Sequence, residues 1–376
     1  MSTPRTSLGE LAALFARLGL TSFGGPLVHV AMMREEVVRR RGWVDEARFL
    51  DLVGATNLIP GPNSTELALH LGWERRRLPG LLVAGFCFIT PAVLATLGLA
   101  WAYQRYGSLP AVGWVLAGVK PAMLAVVAQA MLPLSKRALK SPLMIFVSVA
   151  SAAAAWLGVV EWAVLLGAGM VGWLESRPWA KGSPSLLPVA AIAAAPAAAT
   201  AISPTSIFWV FLKTGSLLFG SGYVLLAFMR TDLVEHHHWL TEPQLLDAIA
   251  AGQLTPGPVF STATFVGYLL SGPWGALAAT VGIFLPAFVL VALSGPLVPR
   301  MRASKGAGAV LDAVNAASLA LMAVVTVELG RATLVDWPSV LIAAAALALA
   351  FGLKWSSTRL LALGALASVL LRAAGL

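Results

Sequence analysis

Charged residues and cysteines are scarce in this sequence. Only 11% of its 376 residues are charged and 58% are hydrophobic, whereas a soluble globular protein carries roughly a quarter charged residues. The single cysteine, Cys87, lies within an apolar run, which excludes a disulfide framework and a cysteine-based metal site. The shortage of charge excludes an ordinary soluble fold, and the sequence predicts an integral membrane protein.

Long apolar runs take the place of the missing charges. Many of them approach the roughly 18 residues that cross a hydrocarbon layer of about 30 Å as a helix. Transmembrane β-strands would instead show weak alternation over about ten residues. We therefore expect an all-α polytopic membrane protein. The first apolar run begins near residue 8 without a small-residue cleavage site, so no removable signal peptide is expected.

The net charge of +9 is concentrated in short loops. Basic clusters occupy residues 39–43 (RRRGW), 74–77 (ERRR) and 135–140 (SKRALK). Clusters of this kind mark the cytoplasmic loops of membrane proteins. The positive charge therefore indicates topology in a lipid bilayer and not binding to nucleic acid.

The chain is an internal duplication. A shift of 196 residues aligns residues 19–62 with 215–258 without a gap, and from about residue 72 the shift becomes 195. Among the aligned residues are Gly19 with Gly215, Asp51 with Asp247, Pro60-Gly61-Pro62 with Pro256-Gly257-Pro258, Gly72 with Gly267 and Lys120 with Asn315. We predict a first transporter repeat at 1–175, a connector at 176–204 and a second transporter repeat at 205–376.

In each repeat a Pro-Gly-Pro sequence interrupts an apolar segment. In the first repeat the pieces 47–59 and 64–73 are each too short to span a membrane at 1.5 Å per residue, which leaves a re-entrant hairpin or one discontinuous helix. Basic loops on both sides, at 34–41 and 74–77, favour the hairpin. The equivalent loops of the second repeat have lost this charge and 300–305 has gained it, which predicts an inverted second repeat with the breaks near the midplane.

The two interruptions predict an anion site. Free backbone groups cost several kcal/mol each in hydrocarbon, so a break is tolerated only inside protein or beside a polar cavity. A half-helix that starts after each break directs N–H donors and its positive dipole end at an anion. We expect Pro62 and Pro258 in its first turn and the polar residues that follow as its caps. Prolines and glycines that merely kink spanning helices are the alternative explanation.

The candidate substrate-binding residues fall into three groups. The two breaks contribute Gly61, Asn63, Ser64, Thr65, Gly257, Ser261 and Thr262. The glycine-rich segments before the breaks contribute Gly24, Gly25, Gly220, Ser221 and Gly222. The third group is Asn57 and Gln253, which correspond in the two repeats and are expected to line the approach to the site.

Three basic residues lie in otherwise apolar helices. Arg17 and Lys213 correspond under the shift of 196, and Lys120 is the third. A charge in a membrane helix is a functional-site hypothesis by default, so we predict that all three bind the substrate. Alternatively, Arg17 and Lys213 snorkel to an interface, and Lys120 pairs with a helix carbonyl or with a carboxylate such as Asp312.

Glu66 is an acidic residue next to the first break. It is a candidate for proton coupling, or it merely complements the helix dipole. Adjacent histidines in a loop, as at 236–238, are more often solvated than bound to a metal, so no metal site and no cofactor are predicted. No Ser-His, Cys-His or paired-carboxylate pattern indicates catalytic residues. An intramembrane enzyme acting on lipid phosphates and a purely structural scaffold remain as alternatives to a transporter.

Three motifs resemble those of the chromate transporter family in its long, two-domain form. They are FGGPLVHVAMMREEVVRRRGWV, LIPGPNSTELALHLGW and GQLTPGPVFSTATFVGYL, and the resemblance covers nearly the whole chain. It implies a carrier of the bacterial inner membrane that exports chromate and confers chromate resistance. Sulfate is implied as a related or competing anion, which leaves open an importer, exchanger or antiporter of sulfate or another oxyanion. Glu66 and the three histidines depart from the family pattern, so substrate preference, proton coupling and a homodimeric state also stay open.

Overall fold

The computed structural model describes residues 6–22, 26–56, 59–107, 109–176, 201–218, 224–294 and 305–374. Within these ranges the chain forms helices joined by short connections, and no β-strand occurs. Four of the described helices are long and apolar enough to cross a membrane, namely Asn63–Tyr106, Pro110–Lys136, Val259–Ser294 and Gly308–Thr333. The all-α membrane architecture predicted from the sequence is confirmed.

The first repeat begins with three short helices and continues with longer ones. They are α1 (Leu8–Thr21), α2 (Pro26–Arg34, followed by a π-helical segment Glu35–Arg40), α3 (Glu46–Thr56), α4 (Asn63–Tyr106), α5 (Pro110–Ala138), α6 (Pro142–Trp156) and α7 (Glu161–Glu175). Ser7 and Ser141 cap α1 and α6 by accepting backbone N–H bonds, which are the caps preferred at helix starts.

The second repeat contains the same elements in the same order. They are α8 (Pro204–Leu217), α9 (Leu225–Met229, followed by a π-helical segment Arg230–His236), α10 (Glu242–Leu254), a 3₁₀ turn Val259–Ser261, α11 (Thr262–Ser294), α12 (Lys305–Thr333), α13 (Trp337–Gly352) and α14 (Ser357–Ala373). Most of the predicted connector, residues 177–200, lies outside the described part of the chain.

Helix α4 folds back on itself at Arg76 and Arg77, whose backbone angles are not helical. In a straight helix Gly72 and Gly80 would lie about 12 Å apart. Here a Cβ built on either glycine would collide with the carbonyl oxygen of the other. Helix α4 is therefore a hairpin with a short arm before Arg76 and a long arm after Arg77, and α11 repeats this geometry at Ser271–Gly272.

Helix α3 and the short arm of α4 form the re-entrant hairpin. Arg48, near the start of α3, pairs with Glu74, near the end of the short arm. Arg75 donates to the carbonyl of Trp43 at 3.1 Å, just before α3. Because the start of one helix meets the end of the other, the two run antiparallel with the Pro-Gly-Pro break at their tip. The discontinuous-helix alternative is wrong.

Equivalent spanning helices of the two repeats run in opposite directions. Helices α5 and α12 correspond under the shift of 195. Lys140, just after α5, pairs with Asp312 near the start of α12 at 2.9 Å, whereas Met131, further back, contacts Thr326 further along α12, with 3.9 Å between Sδ and Oγ1. A two-fold axis that reverses equivalent spanning helices lies in the membrane plane. The repeats are therefore inverted, as transporter repeats often are.

The last two helices of each repeat pack on the other repeat. Helices α6 and α7 contact α12, and α13 and α14 contact α5. The closest of these contacts has no side chains in it, because the backbones of Gly118 in α5 and Gly364 in α14 meet directly. Neither repeat therefore encloses its own core.

We expect Gly72→Ala to lower the melting temperature (Tm) of the purified protein in detergent. Its Cβ would collide with backbone at Gly80, and overpacking typically costs about 1–3 kcal/mol. Gly98→Ala, in the long arm of α4, is the control: its Cβ would meet nothing within 4 Å, and alanine is favoured over glycine inside a helix by up to about 1 kcal/mol. Equal Tm values for the two variants would contradict the hairpin contact.

Candidate functional site

Each Pro-Gly-Pro break crosses the end of the first helix of the opposite repeat. The N–H of Gly61 donates to the carbonyl of Leu218, just after α8, at 2.7 Å, and the N–H of Gly257 donates to the carbonyl of Ser22, just after α1, at 3.0 Å. The two donors correspond under the shift of 196, and so do the two acceptors. Backbone groups that the breaks withdraw from helices are thus satisfied by the other half of the molecule.

Both crossings require glycine. Gly61 has φ +143° and Gly257 has φ +88°, values that residues with a side chain rarely adopt. A Cβ on Gly257 would lie 2.9 Å from the Cβ of Ala92, and one on Gly61 would collide with Oε1 of Glu66. At Gly257 the obstacle to a side chain is the opposite repeat, whereas at Gly61 it is the Glu66 side chain of the same repeat.

The predicted helix caps are wrong. Pro62 and Pro258 occupy the N-cap positions themselves, without a side-chain cap hydrogen bond. The Pro62 carbonyl accepts the N–H groups of Thr65 and Glu66 at 2.7 and 3.0 Å, because an N-cap carbonyl already accepts the first bonds of its helix. The polar residues that follow therefore lie within the first turns rather than at the caps, namely Asn63, Ser64 and Thr65 after the first break and Ser261 and Thr262 after the second.

Buried hydroxyl groups converge beside the second break. Thr96 of the α4 long arm has one hydroxyl proton and donates it to Ser261 at 3.1 Å, the shorter of its two hydroxyl contacts; Thr255 lies 3.3 Å from Thr96 and donates its own proton to the carbonyl of Gly252 at 3.0 Å. The Thr262 hydroxyl donates to its own turn, to the carbonyl of Val259. A serine hydroxyl both accepts and donates, and the bond from Thr96 leaves the Ser261 proton to be donated elsewhere.

Gln253 adds an amide to this group. It is the last polar residue of α10 before the second break, and its Nε2 is buried without a hydrogen-bond partner among the described residues. A buried amide donor without an acceptor costs about 1–3 kcal/mol. The second break is therefore a place where a ligand with oxygen acceptors would be stabilised.

The first break is chemically different. Glu66 is fully buried in the first turn of α4, and neither of its carboxyl oxygens has a partner among the described residues. The apolar side chains of Ile59, Leu69 and Ala287 cluster around this break. An ionised Glu66 would compete with an anion for the positive helix end. Of the two breaks, the second is the better anion seat.

Arg17 and Lys213 lie at the edge of the molecule and not at its centre. Arg17 pairs with Glu36 and Lys213 with Asp232, both at 2.5 Å, and the two basic side chains are 52% and 43% exposed. The two ion pairs correspond under the shift of 196. Glu36 is shared by three arginines, two of which, Arg40 and Arg41, also pair with Glu35 and Glu10.

Lys120 pairs with Asp247 at 2.9 Å, and both side chains are largely buried. The alternative that Lys120 pairs with a carboxylate is thus confirmed, but the carboxylate is Asp247 and not the suggested Asp312, which pairs with Lys140. Asp247 also accepts a hydrogen bond from the Tyr103 hydroxyl at 2.8 Å. The pair links α5 of the first repeat to α10 of the second.

A cavity of about 320 Å³ borders this pair. It is lined by the ends of α4, α5, α12, α13 and α14, and at about 30 Å³ per water it holds roughly ten water molecules. Asp336 and Arg372 lie at its wall, 3.9 Å apart, and hydrogen bonds from Ser339 lower the pKa of Asp336. With loop 74–77 in the cytoplasm, as its charge predicts, the long arm of α4 carries this cavity to the external side.

Six predicted site residues lie outside the described part of the chain: Gly24, Gly25, Asn57, Gly220, Ser221 and Gly222. The three histidines at 236–238 have different surroundings. His236 lies 3.7 Å from Asp232, His237 stacks on Trp239, and His238 contacts the carbonyl of Val234.

Sequence reasoning missed two sets of residues. Arg34–Glu46 and Arg230–Glu242 are equivalent ion pairs, each at 2.7 Å, and their exact repetition under the shift of 196 was the available signal. The other is His70, a buried polar residue one turn after Glu66 whose Nε2 also lacks a described partner. Its four-residue spacing from Glu66 in an apolar arm was the signal.

Comparison with known proteins identifies the family. The family model described as "Chromate transporter" matches residues 9–173 and 205–369. The chain is 30% identical to the chromate transport protein of Cupriavidus metallidurans over 97% of this chain and 93% of that protein. It is 32% identical to the chromate transport protein of Pseudomonas aeruginosa over 94% and 89% of the two chains. No solved structure matches the chain.

Both halves of the family match coincide with the inverted repeats described above, and the spanning helices agree with a multi-pass location in the membrane. The chain belongs to the chromate transporter family and is a membrane transporter of that family.

Proposed function

We propose that the protein exports chromate from the cytoplasm, with the anion bound at the second break. The observation that carries this proposal is the pair of buried donors there, the Gln253 amide and the Ser261 hydroxyl, beside the start of α11. A helix start adds N–H donors and a positive dipole end. The chromate transport proteins of two bacteria among the relatives supply the choice of oxyanion.

In this proposal the exposed basic residues attract the anion without contacting it at the second break. Arg17 and Lys213 attract the dianion from the edges, because charges at a cleft raise the local concentration of an oppositely charged substrate. In this proposal the anion moves between the two repeats past the polar residues of the first break, Asn63, Ser64 and Thr65. Thr262 is left out of the seat, since its hydroxyl bonds to its own turn.

The inverted halves supply alternating access. Two equivalent halves that exchange conformations open a shared site first to one side of the membrane and then to the other. Asp247 precedes Gln253 by six residues in α10, about 9 Å along the helix. The Lys120–Asp247 pair is thus placed between the external cavity and the second break, and its opening would release the anion outward.

The membrane potential suffices to drive export. Moving one charge across 100 mV is worth about 2.3 kcal/mol, so a dianion leaving a negative interior gains about twice that. Uptake of the same anion would need a coupled ion. A transport cycle also needs no nucleophile or general base, and we propose transport rather than catalysis.

Chromate flux in proteoliposomes tests the function. With chromate outside and an imposed lumen-positive potential, we expect uptake that increases with the potential and that sulfate inhibits. Protein-free liposomes are the control. Sulfate flux without chromate flux would favour a sulfate carrier on the same scaffold, and no oxyanion flux under any gradient would refute the proposal.

Removal of a donor at the second break should weaken chromate binding. We expect Gln253→Met and Ser261→Ala each to raise the apparent KM for chromate roughly ten- to hundredfold, because a hydrogen bond to a charged group contributes about 1.5–3 kcal/mol. Ser216→Ala removes an exposed hydroxyl from α8 and should leave KM unchanged. A KM unchanged in both test variants would place the anion elsewhere.

A double variant separates the contribution of Lys120 to stability from its contribution to transport. We expect Lys120→Ala to abolish transport and lower Tm, because breaking a buried pair leaves an uncompensated carboxylate at a cost of about 3–5 kcal/mol. Lys120→Ala with Asp247→Ala removes both charges and should recover Tm and part of the flux. Recovery of Tm without flux would mean that Lys120 contacts the anion directly.

A further inference from the structure

A polar stripe runs along one face of the short arm of α4. Glu66, His70 and Glu74 follow one another at intervals of four residues, so neighbouring side chains lie on the same face with Cβ atoms about 5–6 Å apart. Glu66 and His70 are 0% and 1% exposed, whereas the Glu74 side chain is 27% exposed and pairs with Arg48. The stripe leads from the solvent side of the re-entrant hairpin to the first break.

Helix packing does not explain this stripe. The Glu66 carboxyl oxygens and Nε2 of His70 have no hydrogen-bond partner among the described residues, and buried polar groups left unpaired are costly. The equivalent positions in α11 are Thr262 and Val266 under the shift of 196 and Leu269 under the shift of 195, and a shift of 195 throughout gives Ser261 and Phe265 for the first two. The second repeat builds the same hairpin without any ionisable group at these positions, so the fold does not require them.

Neighbouring helices leave the stripe without a fixed counter-charge at its buried end. An ion pair between Arg48 of α3 and Glu74 reaches the exposed end of the stripe. Charged and titratable groups on the other elements that contact α4 have partners of their own: Glu10 with Arg41, Arg17 with Glu36, His29 with the Ser22 carbonyl, Glu46 with Arg34, and Asp247 with Lys120. Asp51 of α3 also has an interaction partner. Helix α11 presents the apolar side chains of Ala287, Phe288 and Val291.

We propose that His70 and Glu66 form a proton relay that couples chromate transport to a proton. The inference rests on the proposed function. A proton from the solvent side binds Nε2 of neutral His70 and moves to the Glu66 carboxylate, which returns the imidazole to its neutral form.

Both breaks border the same stretch of α11: a Cβ on Gly61 would lie 3.4 Å from the Cβ of Ala287, and Phe260 packs against Phe284, one turn earlier. A dianion at the second break therefore favours the neutral form of the Glu66 carboxyl group, because like charges repel. Anion and proton therefore bind together and cross in the same direction, so the membrane potential acts on one net negative charge per cycle instead of the two of an uncoupled dianion.

Chromate flux under a pH gradient tests the relay. Proteoliposomes are held at zero potential with potassium and valinomycin, in buffer alkaline enough for chromate to be the dianion. We expect the wild-type protein to move chromate toward the alkaline side. Glu66→Gln keeps the shape but cannot ionise, and should lose the response to the pH gradient. His70→Gln should slow the pH-driven flux at least tenfold.

Two exposed residues provide matched controls. Glu175→Gln changes an exposed carboxylate, and His238→Asn changes an exposed histidine at a position with φ +52° that asparagine tolerates. Both should keep the wild-type response. The Tm of Glu66→Gln should equal or exceed that of the wild type, since the variant removes an unpaired buried carboxylate, and this excludes misfolding as the cause of a lost response.

The outcomes separate the relay from the transport function. A wild-type pH response retained in Glu66→Gln would overturn the relay. Wild-type chromate flux that follows the potential but ignores the pH gradient would also overturn it while leaving export intact. No wild-type chromate flux under either gradient would refute the transport proposal, and the relay with it.

Discussion

Unsatisfied backbone groups are the constraint on which this structure depends. Within hydrocarbon each such group costs several kcal/mol, so a Pro-Gly-Pro break inside an apolar segment must find partners in protein. Gly61 and Gly257 find them in the carbonyls of Leu218 and Ser22. Each repeat thus completes the hydrogen bonding of the other, and the need for partners brings both breaks to the interface between the inverted halves.

The repeats share a backbone but have divided their chemistry. Beside the second break lie hydroxyl groups and the Gln253 amide, which suit an anion. Beside the first lies a buried carboxyl group, Glu66, which suits a proton. The inverted duplication supplies two equivalent positions, and substitution at a few residues gives them different side-chain chemistry without any change in the fold.

Much of the fold was predictable from the sequence, and the long-range contacts were not. The repeat and the hairpin were visible because shifts of 196 and 195 and loop charge report directly on duplication and topology. Lys120 and Asp247 lie in different repeats, and apolar periodicity shows that a helix face is buried without showing what covers it. The caps were mistaken because a proline at the N-cap position reads in sequence like a proline in the first turn. At the candidate site, Ser261 was predicted from the second break and Gln253 from its repeat pairing with Asn57, whereas no prediction was made for His70.

The exchange of helix pairs between the repeats has a consequence for biosynthesis. Helices α6 and α7 leave the ribosome before α12, on which they pack, has been synthesised. Until residues 305–333 enter the membrane, the faces of α6 and α7 that will pack on α12 contact lipid or the insertion machinery. Tertiary assembly is therefore completed only near the end of translation. A chain that stops after the first repeat lacks α12, on which α6 and α7 pack. In such a chain the equivalent surface is available only on α5 of a second copy.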